Sequence, residues 1–145
     1  MAITTAMCTS FKSELLGGIH DLDSHTIKLA LIKASHSGTY NAATTNYSDV
    51  TGNSDEASGT GYSSGGATLG SAAITVDGTT AIVDFANVIF TSSTISADGC
   101  IIYNSSASNK AICVITFGST KTSTNGDFTI EFPAAGASTA IIRIA

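Results

Sequence analysis

The chain has 145 residues, a formal net charge of −5, 43% hydrophobic residues and only 12% charged residues. A chain of this length fits one domain and buries enough apolar surface to fold without a metal ion or a disulfide. The six basic residues are scattered, which excludes the sequence-independent nucleic-acid binding that clustered Lys and Arg support. Residues 1–22 lack the features of a signal peptide, and no apolar run is long enough to cross a membrane.

The helix signal lies near the start of the chain. Met7, Phe11 and Leu15 recur every four positions, which places them on one face of a helix. Thr9 or Ser10 is the predicted N-cap, and the glycine pair that follows Leu16 ends the helix. We therefore predict one short helix with a single face to bury.

The rest of the chain has the alternation and turn signals of β-strands. The predicted strands cover residues 26–34, 72–77, 79–85, 88–90, 100–103, 110–117, 127–132 and 139–144. Asp77-Gly78 and Asn125-Gly126 are predicted turns, because glycine tolerates the positive φ that tight hairpins need. The predicted core consists of Leu29, Leu31, Ile74, Val76, Val83, Phe85, Ile102, Val114, Phe117, Phe128, Ile130 and Phe132.

Together these signals predict an all-β protein, an antiparallel β-sandwich with a jelly roll of seven or eight strands as the expected connectivity. We expect a single domain over residues 1–145. Residues 1–25 form the helix and a connector, and residues 26–145 form the β-sandwich. The sandwich includes a long polar loop at residues 35–71, and loops of that length are uncommon unless they bind something.

Three features carry residue types that bind metals or ligands in other proteins. Residues 20–25 contain two histidines and two aspartates, which indicate a solvated connector or, as the alternative, a metal site. Residues 58–66 are glycine-rich, but the helix and Lys of a phosphate-binding loop do not follow them. Asp55 and Glu56 lie in the polar loop, where no burial is expected to raise their pKa values.

Cys8, Cys100 and Cys113 have no Cys-x-x-Cys spacing, so we expect three reduced, mostly buried thiols in a protein made in a cytoplasm. No nucleophile-elbow motif is present either. We therefore predict no catalytic residue, no metal ligand and no cofactor, and we expect the protein not to be an enzyme.

Several stretches of the chain carry a resemblance to a known family. They are residues 1–20, Gly59-Thr-Gly-Tyr-Ser-Ser-Gly-Gly-Ala-Thr-Leu, residues 83–91, 102–104 and 109–111, Gly126-Asp-Phe-Thr-Ile-Glu-Phe-Pro, and residues 140–144. Taken together, they resemble a family of small virion proteins of tailed bacteriophages, over nearly the whole chain. Some members of that family look like jelly-roll cement proteins, which decorate the outside of an icosahedral capsid.

The resemblance implies a capsid cement protein, made in the host cytoplasm and located on the outer capsid surface. Its expected partners are the major capsid protein and further copies of itself, as a dimer or trimer, without nucleic acid or membrane. The candidate interface residues are Phe11, Leu15, Leu16, Tyr40, Tyr47 and Tyr62. The alternative for these residues is a helix that caps one end of the sandwich and a solvated loop.

Two other functions stay open at this point. One is a structural role in a tail, baseplate or head fibre. The other is a carbohydrate-binding or hydrolytic β-sandwich, which would need a cleft with aromatic platforms or paired acids.

Overall fold

The computed structural model describes residues 2–70 and 72–145, and it contains two antiparallel sheets. The strands are β1 (Ala6–Met7), β2 (Ile27–Lys33), β3 (Ala67–Thr68), β4 (Ala73–Asp77), β5 (Thr80–Asp84), β6 (Val88–Asn104), β7 (Lys110–Ile130) and β8 (Ile142–Ile144). Two short helices, α1 (Thr9–Leu16) and α2 (Ser48–Gly52), accompany them. The five-stranded sheet has the order β1-β7-β6-β2-β3, and the three-stranded sheet has the order β4-β5-β8. This confirms the predicted all-β fold class, while the jelly-roll connectivity stays a prediction.

Helix α1 forms near the start of the chain, as predicted, but of the predicted face only Phe11 and Leu15 belong to it, because Met7 lies in β1. Phe11 is fully buried in the core, and the helix ends at Gly17, with Gly18 at a φ of 75°. The prediction of a Thr9 or Ser10 cap is wrong, because Cys8 occupies the N-cap position and no side chain caps the helix. Within the described ranges, no helix has the length and hydrophobicity needed to span a membrane.

Strands β6 and β7 form one long hairpin, and each merges two of the predicted strands. The Asn125-Gly126 turn prediction is wrong. Asn125 has a φ of 48°, but it lies inside β7, where the register with β6 shifts next to Ser93 and Gly126. The left-handed residue therefore makes an irregularity of the bulge type, which bends a hairpin without ending it.

The core lies mainly on the five-stranded sheet and agrees with most of the predicted core. Phe117, Ile130 and Phe132 are only partly buried against it. Ile74 and Val76 were predicted in the core, but they are 52% and 71% exposed, so this prediction is wrong for both residues. The physical reason is that β4 is the edge strand of the smaller sheet, and its five residues are all exposed.

The polar loop covers one edge of the five-stranded sheet. Backbone N–H groups of Ala57 and Lys33 join the loop to β2, donating to the carbonyl oxygens of Leu31 at 2.9 Å and Asp55 at 2.8 Å. The Leu31 N–H donates to the Tyr62 hydroxyl at 3.0 Å, and β3 pairs with the first half of β2. The loop therefore satisfies the hydrogen-bonding groups that β2 would otherwise expose.

Candidate functional site

The six candidate interface residues occupy three different environments. Phe11 and Tyr40 are 0% and 1% exposed, so in this fold they contact only other parts of the chain. Leu15, Tyr47 and Tyr62 are partly buried against the core. Leu16 is 91% exposed at the end of α1, which makes it the one member of the set that faces solvent fully.

Asp55 is a buried carboxylate that anchors the first half of the polar loop. It accepts hydrogen bonds from the Tyr40 hydroxyl at 2.7 Å and from the backbone N–H groups of Ser37 at 3.0 Å and Gly38 at 2.7 Å. Burial acts to raise its pKa, but these donors outweigh burial and lower the pKa to about 2. The prediction that the pKa of Asp55 is not raised is confirmed. Its premise, that nothing in the loop desolvates this residue, is wrong, because Asp55 is fully buried.

Glu56 anchors the second half of the loop through two of the candidate tyrosines. Its carboxylate accepts hydrogen bonds from the hydroxyl groups of Tyr47 at 2.6 Å and Tyr62 at 2.8 Å, and from the Gly65 N–H at 2.6 Å. Burial, and then the negative charge of Glu56, raise the pKa of Tyr62, so its hydroxyl stays protonated as a donor. The Tyr47 ring stacks on Tyr103 with ring centres 4.5 Å apart. These tyrosines therefore hold the loop on the sheet.

The connector at residues 20–25 joins a buried polar network. Asn104 is fully buried, and its Nδ2 lies 3.1 Å from His20 Nδ1 and 2.9 Å from His25 Nδ1. The Ser106 N–H donates to Asn104 Oδ1, so the amide nitrogen faces both imidazoles and both Nδ1 atoms accept. The remaining His20 nitrogen, Nε2, lies 2.8 Å from a Glu14 oxygen. No group of three His, Cys, Asp or Glu side chains in the described part of the chain could hold a metal ion.

A groove of about 500 Å³ is lined mainly by the second half of β7 and the residues that follow it. Its lining includes the rings of Phe117 and Phe132 and the side chains of Lys121, Asp127 and Glu131. The groove therefore combines aromatic rings with carboxylates, which is the combination that a carbohydrate-binding or hydrolytic protein would need.

The three-stranded sheet has one continuous apolar face. Residues directly opposite in antiparallel strands place their side chains on the same face. The register opposes Ile74 to Val83 and Val83 to Ile142, and it opposes Val76 to Ala81 and Ala81 to Ile144. Six apolar side chains therefore form two rows across the three strands, and we call this surface the apolar face.

The apolar face is only half covered by the rest of the chain. Val83 and Ile142 are buried, whereas Ile74, Val76 and Ile144 are 52%, 71% and 51% exposed. A cleft of about 250 Å³ separates this face from the α1–connector segment, which contributes Leu15, His20, Asp21 and Leu22 to the lining. Contiguous apolar patches of a few hundred Å² are often functional.

Sequence reasoning missed the apolar face, although its alternation was visible. The predicted strands 72–77 and 79–85 place Ile74 and Val76, and Val83 and Phe85, two positions apart. Alternation shows that one face of a hairpin is apolar, but it does not show whether that face is covered by the same chain or by another. The prediction that Ile74 and Val76 lie in the core assumed that the same chain covers this face.

Comparisons with protein-family models, with curated proteins and with solved structures found no match for this chain.

Proposed function

We propose that this chain is a structural protein of a tailed-phage virion, not an enzyme, and that it binds the assembled capsid shell as a cement protein. The proposal joins the sequence resemblance described above to the apolar face. A protein that binds only the assembled lattice stabilises that lattice by mass action, and it needs a binding surface that its own fold leaves open.

The observation that carries this proposal is the half-covered apolar face on β4, β5 and β8. Ile74, Val76 and Ile144 belong to one face, and each exposes about half or more of its surface. The low charge content of the chain agrees with such a role, because interface cores are depleted in charged residues.

The first test is the number of copies of this chain in each purified virion, measured by quantitative mass spectrometry against the major capsid protein. A cement protein occurs at a ratio near one, or at a simple fraction of one. A ratio of a few per cent would overturn the cement role and support the alternative of a tail, baseplate or head-fibre protein.

The second test locates the surface that binds the shell. Ile144→Asp places a charge on the apolar face, and Ile89→Asp is a matched control, because Ile89 is 54% exposed on β6. In co-sedimentation with expanded empty shells, we expect Ile144→Asp to weaken binding at least tenfold and Ile89→Asp to leave it unchanged. Equal binding by both variants would remove the apolar face from the proposal.

The groove along β7 supports a second candidate, a carbohydrate-binding or hydrolytic role. Phe132 and Glu131 line the groove, and Glu131 is exposed there. This role predicts that the protein retains host-surface oligosaccharides and that Phe132→Ala removes the retention. A glycan array that shows no retention by the unmodified chain would reject it.

A further inference from the structure

The outer edge of β4 has few of the features that protect edge strands from pairing with another chain. Within the described part of the protein, β4 pairs with β5 alone, over five consecutive residues without a register shift. Proteins usually protect such edges with charged residues, Pro, a bulge or a covering loop. β4 has the sequence Ala-Ile-Thr-Val-Asp, without Pro or a bulge. Its one charged residue, Asp77, lies at the turn end of the strand and accepts a hydrogen bond from the Ala137 N–H at 2.8 Å. The five-stranded sheet differs, because its edge strands β1 and β3 are only two residues long, and the polar loop covers the rest of β2.

The hairpin geometry identifies the groups that β4 presents at this edge. Asp77 and Thr80 flank a two-residue turn, with Gly78 at a φ of 62° in its first central position. The pair that flanks such a turn is hydrogen-bonded, and hydrogen-bonded and non-hydrogen-bonded pairs then alternate along the ladder. Thr75 therefore points its N–H and C=O at β5. The N–H and C=O groups of Ile74 and Val76 point outward.

We infer that β4 pairs antiparallel with β4 of a second copy of this chain, on a two-fold axis at Thr75. In this register, Ile74 opposes Val76 of the second copy and Val76 opposes its Ile74, so all four outward groups on each copy form hydrogen bonds. The two Thr75 residues face each other as a non-hydrogen-bonded pair. The two sheets become one six-stranded sheet with a continuous apolar face.

A second copy fits this edge because the strand is complementary to itself. β-Branched residues oppose β-branched residues and Thr opposes Thr, which are favourable cross-strand pairs. The one charged residue of β4, Asp77, opposes Ala73, so no like charges meet directly across the axis. A two-fold dimer requires this kind of self-complementary surface.

The edge pairing is a small interface. It satisfies the four outward backbone groups of Ile74 and Val76 on each copy, and it leaves the apolar face exposed on one side of the six-stranded sheet. An interface below the standard of about 800 Å² per partner belongs to weak, reversible complexes. We therefore expect a dissociation constant in the high micromolar range.

This inference deepens the proposed function and rests on it only for the biological role of the dimer. The pairing is measured on the purified full chain without a capsid. A monomer that still binds shells would overturn the inference and leave the proposed function standing. A dimer that does not bind shells would overturn the proposed function and leave the inference standing.

The decisive test is disulfide cross-linking across the two-fold axis. Thr75→Cys places two thiols opposite each other at a Cα separation of about 4.5 Å, within the range that a disulfide spans. Ala73→Cys is the matched control, because it lies on the same exposed strand but opposes Asp77 of the second copy. The three native cysteines are buried. Under mild oxidation, we expect Thr75→Cys to form a covalent dimer at least tenfold faster than Ala73→Cys, and equal rates would overturn the register.

A second test removes one outward donor without breaking the β4–β5 ladder. Val76→Pro deletes an outward N–H, whereas Arg143→Pro deletes an outward N–H on β8, at the opposite edge of the sheet. In sedimentation equilibrium, we expect a dimer for the unmodified chain and for Arg143→Pro. Val76→Pro should raise the dissociation constant about 30-fold, since two hydrogen bonds are lost across the axis. A monomeric unmodified chain would overturn the inference.

Discussion

The Tyr40 hydroxyl donates a 2.7 Å hydrogen bond to Asp55 Oδ2 in the interior of the protein, where the two residues are 1% and 0% exposed. Burial, and then the hydrogen bond to the carboxylate, raise the pKa of Tyr40 to about 12. The pKa of Asp55 moves the other way, to about 2. The pair therefore keeps one neutral donor and one ionised acceptor over a wide range of pH.

The first prediction concerns the pH dependence of stability. The folded pKa of Asp55 lies below its ordinary value of 3.8, so its ionisation stabilises the fold above about pH 4. That stabilisation is lost as the pH falls from about 4 to about 2, and it amounts to about 2 kcal/mol. Asp55→Asn should destabilise the protein by about 3 kcal/mol at pH 7, because the new amide group faces N–H donors.

Urea unfolding at pH 7 and at pH 2 checks this prediction. The difference in free energy of unfolding between the unmodified protein and Asp55→Asn should shrink by about 2 kcal/mol at pH 2. Asp23→Asn is the control, because Asp23 is exposed on the connector and its loss should change little at either pH. An equal difference at the two pH values would show that the charge of Asp55 does not stabilise the fold.

The second prediction concerns the attachment of the polar loop through Glu56. Glu56→Ala removes the acceptor of the Gly65 N–H, and it frees Tyr62, whose hydroxyl accepts from the Leu31 N–H. We expect hydrogen exchange of the Gly65 and Leu31 amides to become at least tenfold faster. Exchange at Ile112, a fully buried residue near the start of β7, should be nearly unchanged.

Glu131→Ala is the control for this loop experiment, since it removes an exposed carboxylate at a distance from the polar loop. Unchanged exchange at Gly65 and Leu31 in Glu56→Ala would mean that other contacts hold the loop on the sheet.

The third prediction compares two glycines with the same backbone angle but different surroundings. Gly18 and Gly66 have φ values of 75° and 74°, so alanine is strained at both positions. A Cβ at Gly66 would overlap the backbone carbonyl of Leu29, whereas a Cβ at Gly18 would meet nothing within 4 Å. Gly18→Ala should therefore cost about 1 kcal/mol of unfolding free energy, and Gly66→Ala at least about 2 kcal/mol more. Similar losses in denaturant unfolding would contradict the close approach of β2 and residue 66.

The fourth prediction concerns the thiols, which the sequence led us to expect reduced and buried. Burial raises the pKa of Cys8 and of Cys100 to about 12, and it raises the pKa of Cys113 well above its ordinary value. A protonated, buried thiol is a poor nucleophile. At pH 8, a disulfide reagent should react with none of the three in the folded protein and with all three in guanidinium chloride. Rapid reaction of the folded protein would show that one of these sites opens.

Local signals in the sequence were sufficient for several elements of the fold. The four-residue spacing of Phe11 and Leu15 predicted α1, although Met7 of the same pattern lies in β1, and the turn signal at Asp77-Gly78 predicted the β4–β5 hairpin. The same kind of reasoning divided β6 and β7, because their Ser- and Thr-rich middle parts resemble loops. Those parts remain strands because each pairs with the other, and pairing between distant segments is invisible to local propensity.

The candidate site was less accessible to prediction than the fold. Tyr47 and Tyr62 are candidate interface residues, and their hydrogen bonds to Glu56 of the same chain were not visible in the sequence. The burial of Asp55 depends on backbone donors of Ser37 and Gly38, which only the folded loop brings to it. The exposure of Val76 depends on which sheet faces receive a covering layer, and that is a property of the whole chain.

The long β6–β7 hairpin imposes an order on folding during synthesis. Its two strands are neighbours in the chain, joined by a short connection that contains a 3₁₀ turn at Ser105–Ala107. Because their contacts are local, the two strands can pair as soon as residue 130 has left the ribosome. β1 is made well before β7, but it pairs with Cys113 and Val114 of that strand. The amino-terminal strand and the α1 helix behind it must therefore wait for the hairpin. A ribosome-bound chain stalled before β7 would hold the Phe11 face uncovered.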